Sequence, residues 1–213
     1  MMQMTKEINM TISCWGYGYK GKVMINGINL GIQGGRSESL RLFTADSPFA
    51  KKASADQKRL FCLKPGKNTI SVDCTKTSSS DHDKFEISLE AAGFPAPLLF
   101  MHTTSKSWKV EKEINLAGKD SHPVFFSDTK AVFVHVNSLS ASVTPSLNGK
   151  EGMTISGMPG TAVLGNVQQG KNELSISYKG SGKLEVVIVT PKWTKSVALK
   201  PKDSEQKESF TFQ

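Results

Sequence analysis

Sliding the chain against itself by 122 residues lays one strand pattern over another, and no other feature limits the possible folds as much. Met10, Ile12 and Cys14 fall on Val132, Val134 and Val136. Each triplet alternates with other residues at the period of a half-buried strand. The same shift places Tyr17 on Leu139, Ile25 on Leu147, and Asn26-Gly27 on Asn148-Gly149. Asn-Gly is a strong hairpin signal, because both residues tolerate the positive φ of a type I′ turn. Further on, Gly66-Lys67-Asn68 matches Gly170-Lys171-Asn172 at an offset of 104 instead of 122, so the first copy carries 18 extra residues. The stretch 45–58, polar with Pro48 and no apolar stripe, is where an inserted loop accommodates them. Beyond the second landmark Ile70, Val72 and Cys74 fall on Leu174, Ile176 and Tyr178, so inward and outward positions stay in phase across both turns.

Helical periodicity is nearly absent, and about seven strand-like segments recur in each copy, as a small antiparallel sandwich uses. The expected fold class is therefore all-β: two tandem antiparallel β-sandwich domains, jelly-roll or Ig-like, related by internal duplication. Residues 1–118 form the first, with an inserted loop near 45–58, and residues 119–213 the second. The polar stretch 117–123 links them.

Charge narrows the partners. The chain carries +8, but of its 27 basic residues only Arg36, Arg41 and Arg59 are arginines. Base and phosphate readers lean on arginine for bidentate contacts, so no specific nucleic-acid partner is expected. The scattered lysines read as solubilising charge with a weak attraction to anionic surfaces. No apolar run reaches the length of a membrane-spanning helix. Met1 to Lys6 lacks the apolar core of a signal peptide. Two locations stay open: the cytoplasm, or the periplasm or exterior if a leader has been removed.

Val23-Met24-Ile25-Asn26-Gly27, followed by Leu63-Lys64-Pro65-Gly66-Lys67-Asn68-Thr69-Ile70, resembles the turn pattern of galactose-binding-like modules, including the accessory β-sandwich domains of glycosidases. The resemblance covers about 15 of 213 residues, all of them turn or core-strand residues, and it implies a β-sandwich without implying a ligand.

Three cysteines, Cys14, Cys62 and Cys74, are too few and too scattered for a disulfide scaffold. A hairpin closing at Gly66-Lys67 would set Phe61 against Val72 and Leu63 against Ile70. Cys74 would then lie on the apolar face and Cys62 on the opposite one with Ser71 and Asp73. Reduced, partly buried thiols are expected. Among the histidines, His135 falls on the outer phase of its strand. Asp81-His82-Asp83 reads as a solvated loop, because neighbours in an extended chain point opposite ways and a zinc site wants separated pairs. No nucleophile elbow, paired carboxylates or helix-opening phosphate loop is present. The chain therefore reads as a non-enzyme with no catalytic residues, no metal and no cofactor.

Trp15-Gly16-Tyr17-Gly18-Tyr19-Lys20-Gly21-Lys22 is the one segment that looks built for binding. Aromatic rings spaced by glycines are sterically open and stack on sugars or bases, while Lys20 and Lys22 favour an anionic group. The second copy has no aromatic residue here. Trp15, Tyr17, Tyr19, Lys20 and Lys22, together with the 45–58 loop, are the expected binding surface. The leading expectation is a non-catalytic interaction or assembly module of a cell-envelope or surface complex, recruiting a protein partner through strand edges. The alternative is a carbohydrate-binding module that takes a glycan on the aromatic platform.

Overall fold

A computed structural model describes residues 9–116 and 123–213, so the expectations for Met1 to Lys6 and for 117–122, including His122, lie outside the described residues. The chain is all-β, and its strands pair almost entirely antiparallel. It divides into two compact units, Met1–Asp128 and Thr129–Gln213.

The first unit holds β1 (Asn9–Trp15), β2 (Tyr19–Ile25), β3 (Ile28–Asn29), β4 (Ser37–Thr44), β5 (Phe61–Leu63), β6 (Lys67–Lys76), β7 (Phe85–Ala91), β8 (Leu99–Thr103), β9 (Ser107–Asn115) and β10 (Val124–Ser127). They build one sheet in the order β10-β8-β7-β1-β4-β5 and a second in the order β3-β2-β6-β9. The second unit holds β11 (Val132–Asn137), β12 (Ala141–Leu147), β13 (Lys150–Glu151), β14 (Ile155–Ser156), β15 (Gly160–Leu164), β16 (Asn172–Gly180), β17 (Leu184–Val189), β18 (Thr194–Leu199) and β19 (Gln206–Phe212). Its sheets run β15-β11-β17-β18 and β13-β12-β16-β19, with β14 also on β12.

In each unit the inward residues of both sheets meet in one core. Ile12, Leu42 and Ile87 of the first sheet join Val23, Ile70 and Val72 of the second. Val134, Ala162 and Val186 join Val143, Leu174 and Ile176 in the other unit. Alternation sets these faces: in β6 the even-numbered positions 68–74 are buried and Asp73 is exposed. The Asn-Gly turns take the expected left-handed conformation, with φ of 51° and 79° at Asn26-Gly27 and 52° and 79° at Asn148-Gly149.

The hairpin expected at Gly66-Lys67 does not form. β5 pairs parallel with β4 in one sheet, whereas β6 pairs with β2 and β9 in the other. The buried Asn68 is the physical reason. Its Oδ1 accepts from Lys64 N at 2.8 Å and from Asn26 Nδ2 at 2.9 Å, and its Nδ2 donates to Lys64 O at 2.8 Å and Gly66 O at 3.0 Å. One side chain closes the 64–68 turn and hands the chain across to the other sheet. Asn26 completes the junction by donating to Cys62 O at 2.7 Å and accepting from Thr69 N at 3.0 Å. Cys62 is consequently buried and does not share an outer face with Ser71 and Asp73; all three thiols are buried and free.

Burial and extent are both set by packing beyond strand phase. His135 does sit opposite Val134 and Val136 in phase, yet it is only 5% exposed, with Nδ1 2.9 Å from Thr161 Oγ1 on β15. The segment expected to open the second domain instead adds β10 to the first unit, parallel to β8. The boundary between compact units therefore falls after Asp128, downstream of residue 118. Phe126 of β10 stacks on Trp108 at 6.0 Å and lies beneath Lys112 Nζ at 3.6 Å from its ring centre. Those contacts hold the strand in place.

Candidate functional site

The turn 16–18 carries the chain from the first sheet to the second, and this separates the expected binding residues. Trp15 and Tyr17 are exposed, at 47% and 45%, with ring centres 4.8 Å apart and planes at 57°. Tyr19 is 1% exposed. Its ring packs on Phe85 at 5.9 Å and its hydroxyl donates to Ser105 O at 3.0 Å, so it belongs to the core and not to the surface. Lys20 and Lys22 are exposed on the second sheet, on the face opposite the core, where Lys22 stands across from Asp73. They point away from Trp15, which leaves the outer face of the first sheet.

The glycines of this segment answer to packing more than to open ring faces. A Cβ on Gly21 would meet the Phe85 ring at 2.7 Å, and one on Gly16 would meet it at 3.1 Å. Phe85 fills the space that the two glycines leave.

The 45–58 loop is also distant from Trp15. It follows β4, and along the β1–β4 ladder Trp15 faces Ser37 while Asn9 faces Phe43. The loop thus leaves the far end of the sheet, roughly 20 Å of strand away. It contains a 3-10 turn at Pro48–Lys52, and a second follows at Lys58–Leu60.

Ser37, Glu86 and His102, which no sequence motif marks, accompany Trp15. Across the outer face of the first sheet, one ladder row reads Ser37, Trp15, Glu86, His102. Directly opposed side chains on one face stand about 5 Å apart at Cβ. His102 Nδ1 and Lys84 Nζ both approach Glu86 Oε1, at 3.0 and 2.9 Å. Burial pushes the Glu86 carboxyl up, but the hydrogen bonds from His102 and Lys84 and the positive charge beside it outweigh burial and leave it below the usual carboxylate range. The result is an ionised, half-buried acceptor with a fixed imidazole, beside two half-exposed aromatic rings.

The second unit makes the contrast legible. Lys183 Nζ and Glu185 Oε1 pair at 2.8 Å at the start of β17, as Lys84 and Glu86 do at the start of β7. Asn137 faces Glu185, and Glu185 faces Ala198, where the first unit has Trp15, Glu86 and His102. The Lys-x-Glu pair is common to both units, whereas the indole, the phenol and the imidazole occur only in the first.

Chemically the row can stack, accept and donate. The thiols offer no nucleophile: burial pushes Cys14, Cys62 and Cys74 each up to about 12. His82 is exposed, and Asp83 turns back to the Ser78 hydroxyl. No protein-family model, curated protein or solved structure matches the chain.

Proposed function

We propose that the chain is a non-catalytic recognition module, formed by duplication of one β-sandwich domain, that takes a carbohydrate on the Trp15–Tyr17 face of its first unit. Duplication is supported by register as well as by pattern. Met10 faces Leu42 and Val132 faces Leu164, an offset of 122 on both strands of the pair. The Asn26–Asn68 and Asn148–Asn172 hydrogen bonds are both 2.9 Å.

One observation carries the ligand reading: the row that puts Trp15 beside Glu86 and His102, with Tyr17 against the indole. A pyranose has an apolar face of C–H groups and a rim of hydroxyls. Half-exposed rings match the first, and a fixed carboxylate–imidazole pair matches the second. A glycan array probed with the intact protein should give saturable binding that Trp15→Ala abolishes and Lys22→Gln leaves intact. Silence across the array, or binding indifferent to Trp15→Ala, would sink the reading.

A protein partner is the second reading. It is favoured by β18, a six-residue edge strand that is exposed along much of its length. Against it, the longer edges β9 and β19 carry Lys109, Glu111, Lys207 and Glu208, the charges that discourage strand addition. A purified partner that still binds the Trp15→Ala variant would favour this alternative.

A further inference from the structure

We infer that the insertion following β4 is a docking surface for anionic membrane lipid, separate from the Trp15 face. Phe49 stands at the first 3-10 turn and is 63% exposed, the most open aromatic side chain among the described residues. It borders a shallow apolar groove of about 200 Å³ lined by Phe43, Phe49, Ala53, Leu60 and Phe61. Phe43 and Phe61 stack at 5.3 Å, and the guanidinium of Arg41 lies over Phe43 at 5.7 Å. Lys52 lines the groove, and Lys51 and Lys58 are exposed beside it. Among the described residues none of these four cations is in an ion pair, and the insertion's only acids are Asp46 and Asp56.

A solvent-facing ring flanked by unneutralised cations suits an interface that is apolar beneath and negative at its surface. Single-stranded nucleic acid fits less well. Base stacking needs several open ring faces, and here Phe43 and Phe61 cover each other while Phe49 alone is open. The second unit has one residue, Val167, where the first has 45–63, so Phe49, Lys51, Lys52 and Lys58 lie outside the shared framework, and Arg41 on β4 stands where the second unit has Val163. The last two residues of the insertion explain themselves, since Cys62 and Leu63 are buried. Burial does not explain Phe49, Lys51 and Lys52.

The test is flotation of the intact protein with phosphatidylcholine vesicles, with and without phosphatidylserine, at low and at high salt. Binding should require phosphatidylserine and weaken with salt. Lys51→Gln with Lys52→Gln should weaken it roughly fivefold per charge, about 25-fold for the pair. Phe49→Ala should weaken it on the order of tenfold. The control pair Lys106→Gln and Lys109→Gln, exposed on and beside β9, should change little, and Trp15→Ala should leave vesicle binding intact. Phe49→Trp should gain a blue-shifted emission component on the anionic vesicles. The inference is overturned if phosphatidylserine vesicles are not bound, or if both lysine pairs weaken binding equally. It is also overturned if the insertion variants instead lose affinity for a single-stranded oligonucleotide.

Discussion

Tyr17 and Tyr19 are two residues apart and have opposite roles, one exposed beside Trp15 and the other sealed against Phe85. What separates them is the local packing of Phe85, which needs glycine at 16 and 21. The second unit places Ser138 and Val143 at those positions and has the smaller Leu184 where the first has Phe85. The tyrosine moves as well: Tyr19 and Cys74 of the first core are replaced by Ala141 and Tyr178 in the second, so volume shifts between strands while the core stays filled. The same dryness governs the thiols. In an unfolded chain they ionise near pH 9, whereas burial holds them protonated in the fold to about 12. Stability from these groups is therefore complete below pH 9 and is lost as pH rises towards about 12. Tyr19, pushed from 10 up to about 12 by burial, acts in the same direction. Urea midpoints should fall steadily above pH 9, and an aromatic disulfide reagent should label none of the three cysteines until the protein unfolds. Rapid labelling of the native protein at pH 8 would contradict the burial.

At the scale of elements, the buried asparagines do work that strand periodicity cannot. Asn68 and Asn172 each satisfy two donors and two acceptors and so turn the chain from one sheet to the other. Replacing either by alanine strands a backbone N–H and one of the two amide N–H groups of the partner asparagine in a part-buried site. Asn68→Ala and Asn172→Ala should each cost about 2–4 kcal/mol, read as a lowered denaturation midpoint in the unit concerned. An aspartate at the same position would keep the acceptor and lose both donations, and should rescue only part of the loss. If Asn68→Ala melts like the parent protein, the turn is held by something else.

For the molecule as a whole, the unit boundary is set by packing and not by composition. The stretch 117–123 has the glycine, proline and polar residues of a linker, but the strand after it belongs to the first unit, with Val124 and Phe126 against that core. A fragment ending at residue 128 should consequently be more stable than one ending at 118, by about 2–4 kcal/mol for the apolar contacts of β10. The comparison is of thermal midpoints of the two purified fragments. Equal midpoints would mean that Phe126 contributes nothing to closing the edge over Trp108.

Sequence by itself determined the strand periodicity, the Asn-Gly turns and the inward parity of Val72 and Ile176. Each of these is a local property, read from side-chain alternation or from the few residues that tolerate positive φ. Alternation places Trp15 outward, but the glycine-spaced pattern does not separate the exposed Tyr17 from the buried Tyr19. The tertiary structure alone decided that Gly66 begins a crossing between sheets and that Tyr19 is core. It also set Trp15 apart from the 45–58 loop and brought Glu86 and His102 to its side. Those outcomes depend on which strands pair and in what register: His102 lies 87 positions from Trp15 in the chain, yet only one strand separates them in the sheet. Register is settled by burying one face of every strand at once, a collective choice that no short stretch of residues records.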